Sequence, residues 1–83
     1  MPQPIAPPAV LTLLEGATRA VAGSLRRETS LKGLAGWDSL GIVQFMAEVA
    51  DRTGATFHVA DLRQAATAGE LVDLVVARAG AQN

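Results

Sequence analysis

The residues with chemistry to offer are few, and they stand together at Trp37-Asp38-Ser39-Leu40. Ser39 brings a hydroxyl and Asp38 a carboxylate. The apolar pattern that follows makes Ser39 the first residue of a helix and Asp38 its N-cap, where an aspartate accepts first-turn N–H groups and complements the helix dipole. A helix start carries partial positive charge and free N–H groups, so a phosphate ester on an oxygen placed there is favoured. Asp38 would repel such a phosphate. Its benefit therefore lies in capping or in binding a modifying enzyme.

Other chemistries find no support. The chain has no cysteine and one histidine, His58. That excludes a disulfide framework, a thiolate nucleophile and a Cys- or His-cluster zinc site. Ser39 has no histidine partner nearby and no elbow sequence around it, so a serine hydrolase is not expected. The net charge is −1, and residues 39–53 hold only Arg52 as a basic residue, which argues against a helix-turn-helix reading of nucleic acid. Arg26-Arg27 reads as a solvated pair that complements a helix end. Phe45 and Met46 read as core packing at least as readily as an acyl-chain slot.

Positioning Ser39 needs a scaffold. Eighty-three residues make one domain. A chain 49% hydrophobic and 18% charged is not disordered, and its scarcity of aromatics favours helices over strands. A proline-rich lead-in is expected over 1–7 and a flexible tail over 80–83. Val10, Leu13, Leu14, Ala17, Val21 and Leu25 recur at helical steps and predict a helix over about 8–24, with Pro8 in its first turn. Residues 26–37 form a long connection punctuated by Gly33 and Gly36, pinned to the core by Leu31, Leu34 and Trp37. The second helix runs from Ser39 to about Thr53, with Gly54 as its stop. Leu40, Ile42, Val43, Phe45, Met46, Ala47, Val49 and Ala50 are its expected buried set, and Gly41, Gln44, Glu48 and Asp51 its exposed stripe. Ala60 to Gln64 fit one helical turn. Thr67-x-x-Glu70 is a capping box for a last helix to about Ala79, with Leu71, Leu74, Val75 and Ala79 inward and Gly80 as the stop. The expected fold is an all-α antiparallel four-helix bundle of three main helices and one short one. No apolar stretch approaches the ~20 residues that span a bilayer, and no basic flank marks a secretory signal before Leu14. A cytoplasmic monomer is expected.

Asp38-Ser39-Leu40 at the start of the second of four helices, in a chain of this size, resembles the acyl carrier protein family. The motif match is confined to these three residues; from about Val10 to Ala79 the likeness is one of apolar positions. The resemblance implies that Ser39 receives 4′-phosphopantetheine from coenzyme A through a magnesium-dependent transferase. The thiol at the end of that arm then carries an acyl group as a thioester, which supplies the sulfur this chain lacks. The resemblance further implies that Asp38 caps the helix and helps the transferase, and that Leu40 anchors the attachment point to the core. Trp37, Gly41, Gln44, Ala47, Glu48 and Asp51 are the expected partner contacts. Besides the transferase, the expected partners are an acyl- or aminoacyl-loading ligase or acyltransferase and a downstream synthase or transferase, with neither nucleic acid nor membrane. Trp-Asp-Ser-Leu resembles discrete carriers of polyketide and related specialised pathways, and Asp-Ser-Leu-Gly-Ile-Val-Gln resembles aminoacyl carriers of the D-alanyl type. The Gly-Gly-x-Ser pattern of peptidyl carriers is absent. With only Glu48 and Asp51 as carboxylates on the exposed stripe, docking is expected to rest on shape and apolar contact more than on charge. The rival reading is a helical adaptor without a cofactor.

Overall fold

The computed structural model describes residues 3–81 and contains four helices in this order: α1 (Pro7–Thr18), α2 (Ser39–Thr53), α3 (Val59–Arg63) and α4 (Ala68–Ala81). Among the described residues, the only β pairing is an isolated antiparallel bridge between Ser30 and Thr67. α1 packs against both α2 and α4, and α3 packs against α2. The core between them is built from Val10 and Leu14 of α1, Ile42, Phe45 and Val49 of α2, Leu62 of α3, and Leu71, Val72 and Val75 of α4. Each such side chain contributes about 1.5–3 kcal/mol by leaving water. This is the expected all-α bundle.

α1 starts as the prolines dictate, with Pro7 and Pro8 in the first turn, where an N–H is not missed. It ends earlier than the apolar spacing predicts. Arg19 takes a left-handed conformation at φ 60°, and the Ala20 N–H closes on the Glu15 carbonyl at 2.9 Å. That geometry satisfies the last carbonyls and terminates the helix. The expected stripe to residue 25 is therefore broken: Val21 is exposed. Leu25 is still buried, but it enters the core from the loop. Its N–H donates to Oε2 of the buried Glu15 at 3.1 Å, so the carboxylate holds the loop against the helix it left.

α2 and its stop follow expectation. Gly54 at φ 77° donates to the Ala50 carbonyl, and the Thr53 hydroxyl both donates to the Val49 carbonyl and accepts the Ala55 N–H. α3 spans Val59–Arg63, one residue ahead of the predicted turn, and its start is fixed by the His58 N–H donating to Asp61 Oδ2 at 3.0 Å. Arg78 of α4 pins the same region: it reaches Asp61 at 3.5 Å, donates to the Thr56 carbonyl, and lies 4.6 Å from the centre of the Phe57 ring.

At the start of α4 the Glu70 N–H donates to the Thr67 hydroxyl oxygen, and that hydroxyl donates in turn to the Glu70 carboxylate. Leu71, Val75 and Ala79 are buried as expected and Leu74 is half-buried; Ala68 and Val72 join the core as well. Gly80 does not stop α4, which runs on to Ala81. Helix thus replaces the first part of the expected flexible tail, and residues 82–83 lie outside the described residues. So do residues 1–2 of the lead-in, whose Gln3 N–H is tied to the Thr53 carbonyl at 2.9 Å.

Candidate functional site

Asp38 is the N-cap of α2. Its backbone is extended (φ −121°, ψ −171°), its Oδ1 accepts the Gly41 N–H at 3.0 Å, and its carbonyl accepts the Ile42 N–H at 2.8 Å. Ser39 is the first helical residue and is exposed, as are Asp38 and Leu40. The hydroxyl thus stands at the positive end of a four-turn helix, as the sequence predicts.

What holds that end in place is the loop before it. Two successive turns, Leu34 N–H to Leu31 carbonyl and Trp37 N–H to Leu34 carbonyl, each at 3.1 Å, coil residues 31–37. Gly36 sits at φ 86°, and its α-carbon lies so close to the Thr18 backbone that no Cβ would fit. Gly41 likewise has no room for a Cβ, because the Gly36 carbonyl occupies that space. The end of α1, the loop and the first turn of α2 are therefore stacked backbone to backbone, which only glycine permits. Trp37 is half-buried and meets the Phe45 ring edge-on at a centroid distance of 5.7 Å. Leu31 is buried and Leu34 half-buried beside it, so all three residues pin the loop.

Two placements correct the sequence reading. Leu40 does not anchor the attachment point: it is 75% exposed. Gly41 does not belong to the outward stripe, for it is buried. The reason is rotational. Ile42, Phe45, Val49 and Thr53 fall on one side of α2 and are buried together with Gly41, so the 100° step turns Leu40, Val43 and Ala47 outward beside Gln44 and Asp51. Glu48 is half-exposed. Counting apolar residues assigned Leu40, Val43 and Ala47 to the core; their angular positions place them on the surface. The anchors of the helix start are Ile42 and the glycine contact.

One site residue could not be read from the sequence. Arg63, at the end of α3, donates from its guanidinium to Ser39 Oγ at 3.1 Å. The pair is 24 positions apart, and no motif or periodicity connects them. Beside this contact a cleft of about 410 Å³ opens between the α1–α2 loop and the α3–α4 junction, with Trp37, Ile42, Lys32, Arg63 and Gln64 in its walls.

The chemistry of this arrangement is that of an acceptor. The hydroxyl is accessible, a cation lies against its oxygen, and the adjacent carboxylate is engaged in capping. Among the described residues no base is hydrogen-bonded to Ser39, whose oxygen accepts from Arg63. His58 serves α3 through its backbone. The Asp61 carboxyl is held below the ordinary value of 3.8, first by the His58 N–H and, against a smaller opposing effect of desolvation, by the Arg78 charge. Among the described residues there is no cluster of potential metal ligands, and no helix is long and apolar enough to cross a membrane.

An exposed oxygen at a helix start, with a guanidinium against it and no carboxylate in the cleft wall, fits an anionic ester on that oxygen. Comparison with known proteins bears on the same point. Neither the curated proteins nor the solved structures yield a match to the chain. The family model described as the phosphopantetheine attachment site matches residues 8–75, which takes in α1 from its second residue, all of α2 and α3, and the first half of α4. The chain therefore belongs to the phosphopantetheine attachment site family, whose members carry 4′-phosphopantetheine covalently on a serine.

Proposed function

We propose that Ser39 is the attachment serine of this carrier, and that the chain is a single carrier domain that passes thioester-bound intermediates between enzymes without catalysing a reaction itself. The observation that carries the assignment is positional. All three serines of the chain, Ser24, Ser30 and Ser39, lie within the matched residues. Ser24 sits in the loop after α1, and the Ser30 hydroxyl is directed at the Lys32 carbonyl inside the bridge to Thr67. Ser39 alone begins a long helix.

In this reading each neighbour has a defined task. Asp38 caps the first turn, from which the Ser39 side chain projects, Ile42 and the Gly36–Gly41 contact hold the helix start to the core, and Trp37 locks the loop through Phe45. The arm, once attached, supplies a thiol on a long tether. Carriers of this family meet a phosphopantetheinyl transferase and synthase partners. The face offered to them here is the outward side of α2, where Leu40 and Val43 are 75% and 52% exposed among Gln44, Ala47 and Asp51. That mixture supports docking by apolar contact with little charge steering. The cargo is an acyl or aminoacyl group. The Trp-Asp-Ser-Leu sequence supports a dedicated pathway, polyketide or related, in a cytoplasmic setting.

The test is intact mass spectrometry after incubation with a phosphopantetheinyl transferase, magnesium and coenzyme A. Wild type gains one phosphopantetheine mass, and S39A gains none while keeping its helical circular dichroism. A wild-type chain left unmodified by a transferase that loads other carriers, or an S39A chain that still gains the mass, refutes the assignment.

A further inference from the structure

We infer that Arg63 binds the phosphodiester of the tether and holds the base of the arm against α2 and the neighbouring cleft. The inference rests on Ser39 as the attachment point. Its starting observation is the 3.1 Å contact from the Arg63 guanidinium to Ser39 Oγ. A neutral hydroxyl is a modest acceptor for a cation, whereas a phosphodiester oxygen is a strong one, because hydrogen bonds between ionised partners are shorter and about twice as strong. Esterification places phosphorus directly on Oγ. The non-bridging oxygens then lie two bonds from an atom that the guanidinium already touches, and its planar fork matches two of them.

Charge supports the same role. The two salt bridges among the described residues are Arg27–Asp73 and Arg78–Asp61. Arg63 is in neither, so its positive charge remains available at the Ser39 oxygen. Asp38, next to Ser39, is a carboxylate that would repel a phosphodiester on its neighbour. A guanidinium against the Ser39 oxygen offsets that repulsion without disturbing the cap to Gly41. The cleft that Arg63 borders also has Lys32 in its wall and no carboxylate, so its field favours the anionic base of the arm. Anchoring an exposed arginine costs side-chain entropy; an anionic ligand offsets this far better than a hydroxyl does.

Nuclear magnetic resonance on arginine-labelled protein tests this before and after loading, with mass spectrometry on the same samples reporting attachment. The Arg63 Nε–Hε signal, assigned by its loss in R63K, should shift and exchange more slowly with solvent in the loaded protein. The ³¹P signal of loaded R63A should move from the wild-type position toward that of unconstrained phosphopantetheine, with R63K intermediate. Loading should also raise the melting temperature of wild type more than that of R63A. If the wild type gains mass but its Arg63 and ³¹P signals are insensitive to loading and substitution, Arg63 has no such role and the Ser39 assignment survives. If the wild type gains no mass, both fall. Should R63A fold poorly, the unloaded and loaded wild type together with R63K decide the matter.

Discussion

Replacing Gly41 with alanine probes the contact that sets the position of Ser39. A Cβ at residue 41 would fall inside the van der Waals shell of the Gly36 carbonyl oxygen and lie 3.4 Å from the Ala17 carbonyl oxygen. Both obstacles are backbone, and Gly36 is itself wedged against Thr18, so neither can swing aside as a side chain would. Forcing a methyl group into such a site costs about 1–3 kcal/mol, while alanine regains at most about 1 kcal/mol through its helix propensity. Because both obstacles are backbone, the cost lies at the top of that range, and the net expectation is a loss of about 2 kcal/mol. For a domain of this size each kcal/mol lowers the melting temperature by about 4–8 °C. Gly16 is the internal control: it lies in α1 with nothing within 4 Å of its would-be Cβ, so G16A should gain about 0.5–1 kcal/mol. Thermal and urea unfolding followed by circular dichroism measure both. If G41A matches or exceeds the stability of wild type while G16A behaves as expected, the backbone stack does not hold the start of α2, and the account of how Ser39 is positioned fails.

Four further outcomes follow from the same structure. D38A should lose about 1 kcal/mol by removing the cap to Gly41, and D38N, which can still accept that N–H, should lose only a small part of it in urea unfolding. I42A should cost about 2–5 kcal/mol because Ile42 is buried, whereas L40A should stay within about 0.5 kcal/mol of wild type because Leu40 is exposed; equal losses for the two would contradict the assigned faces of α2. L40A should instead weaken binding to a partner enzyme, measured by titration calorimetry. The Asp61 carboxyl is held below 3.8 in the folded chain, so the folded chain binds fewer protons there than the unfolded chain does and folding releases them. Its stabilising contribution is complete above the unfolded value and is lost as pH falls through the lower folded value; the difference in stability between wild type and D61N should shrink over that range, and a difference independent of pH would count against the His58–Asp61–Arg78 arrangement.

Much of this was legible because local rules decide it. Proline at a helix start, Asp38 as a cap, Gly54 as a stop and the Thr67–Glu70 pair are short-range chemistry, and each lies where the residues place it. The end of α1 was not legible, since a left-handed arginine is an unusual terminator and the apolar spacing continued past it to Val21 and Leu25. The faces of α2 were misjudged for a different reason: in a run so rich in apolar residues, composition hides the angular position that determines burial. Arg63 was invisible altogether. Its contact with Ser39 is tertiary, made by an arginine that looks like any solvated cation in the chain.

The Ser30–Thr67 bridge has a temporal consequence. It is flanked by the Leu31 N–H donating to the Ala66 carbonyl and the Ala68 N–H donating to the Thr29 carbonyl, both at 2.9 Å, so the segment leading to Ser39 is stitched to residues that come much later in the polypeptide. During synthesis Ser39 is joined to the chain before Arg63 and Thr67 are. The hydroxyl acquires its guanidinium and its fixed surroundings only when the residues from Arg63 to Ala68 fold back against the loop that precedes it.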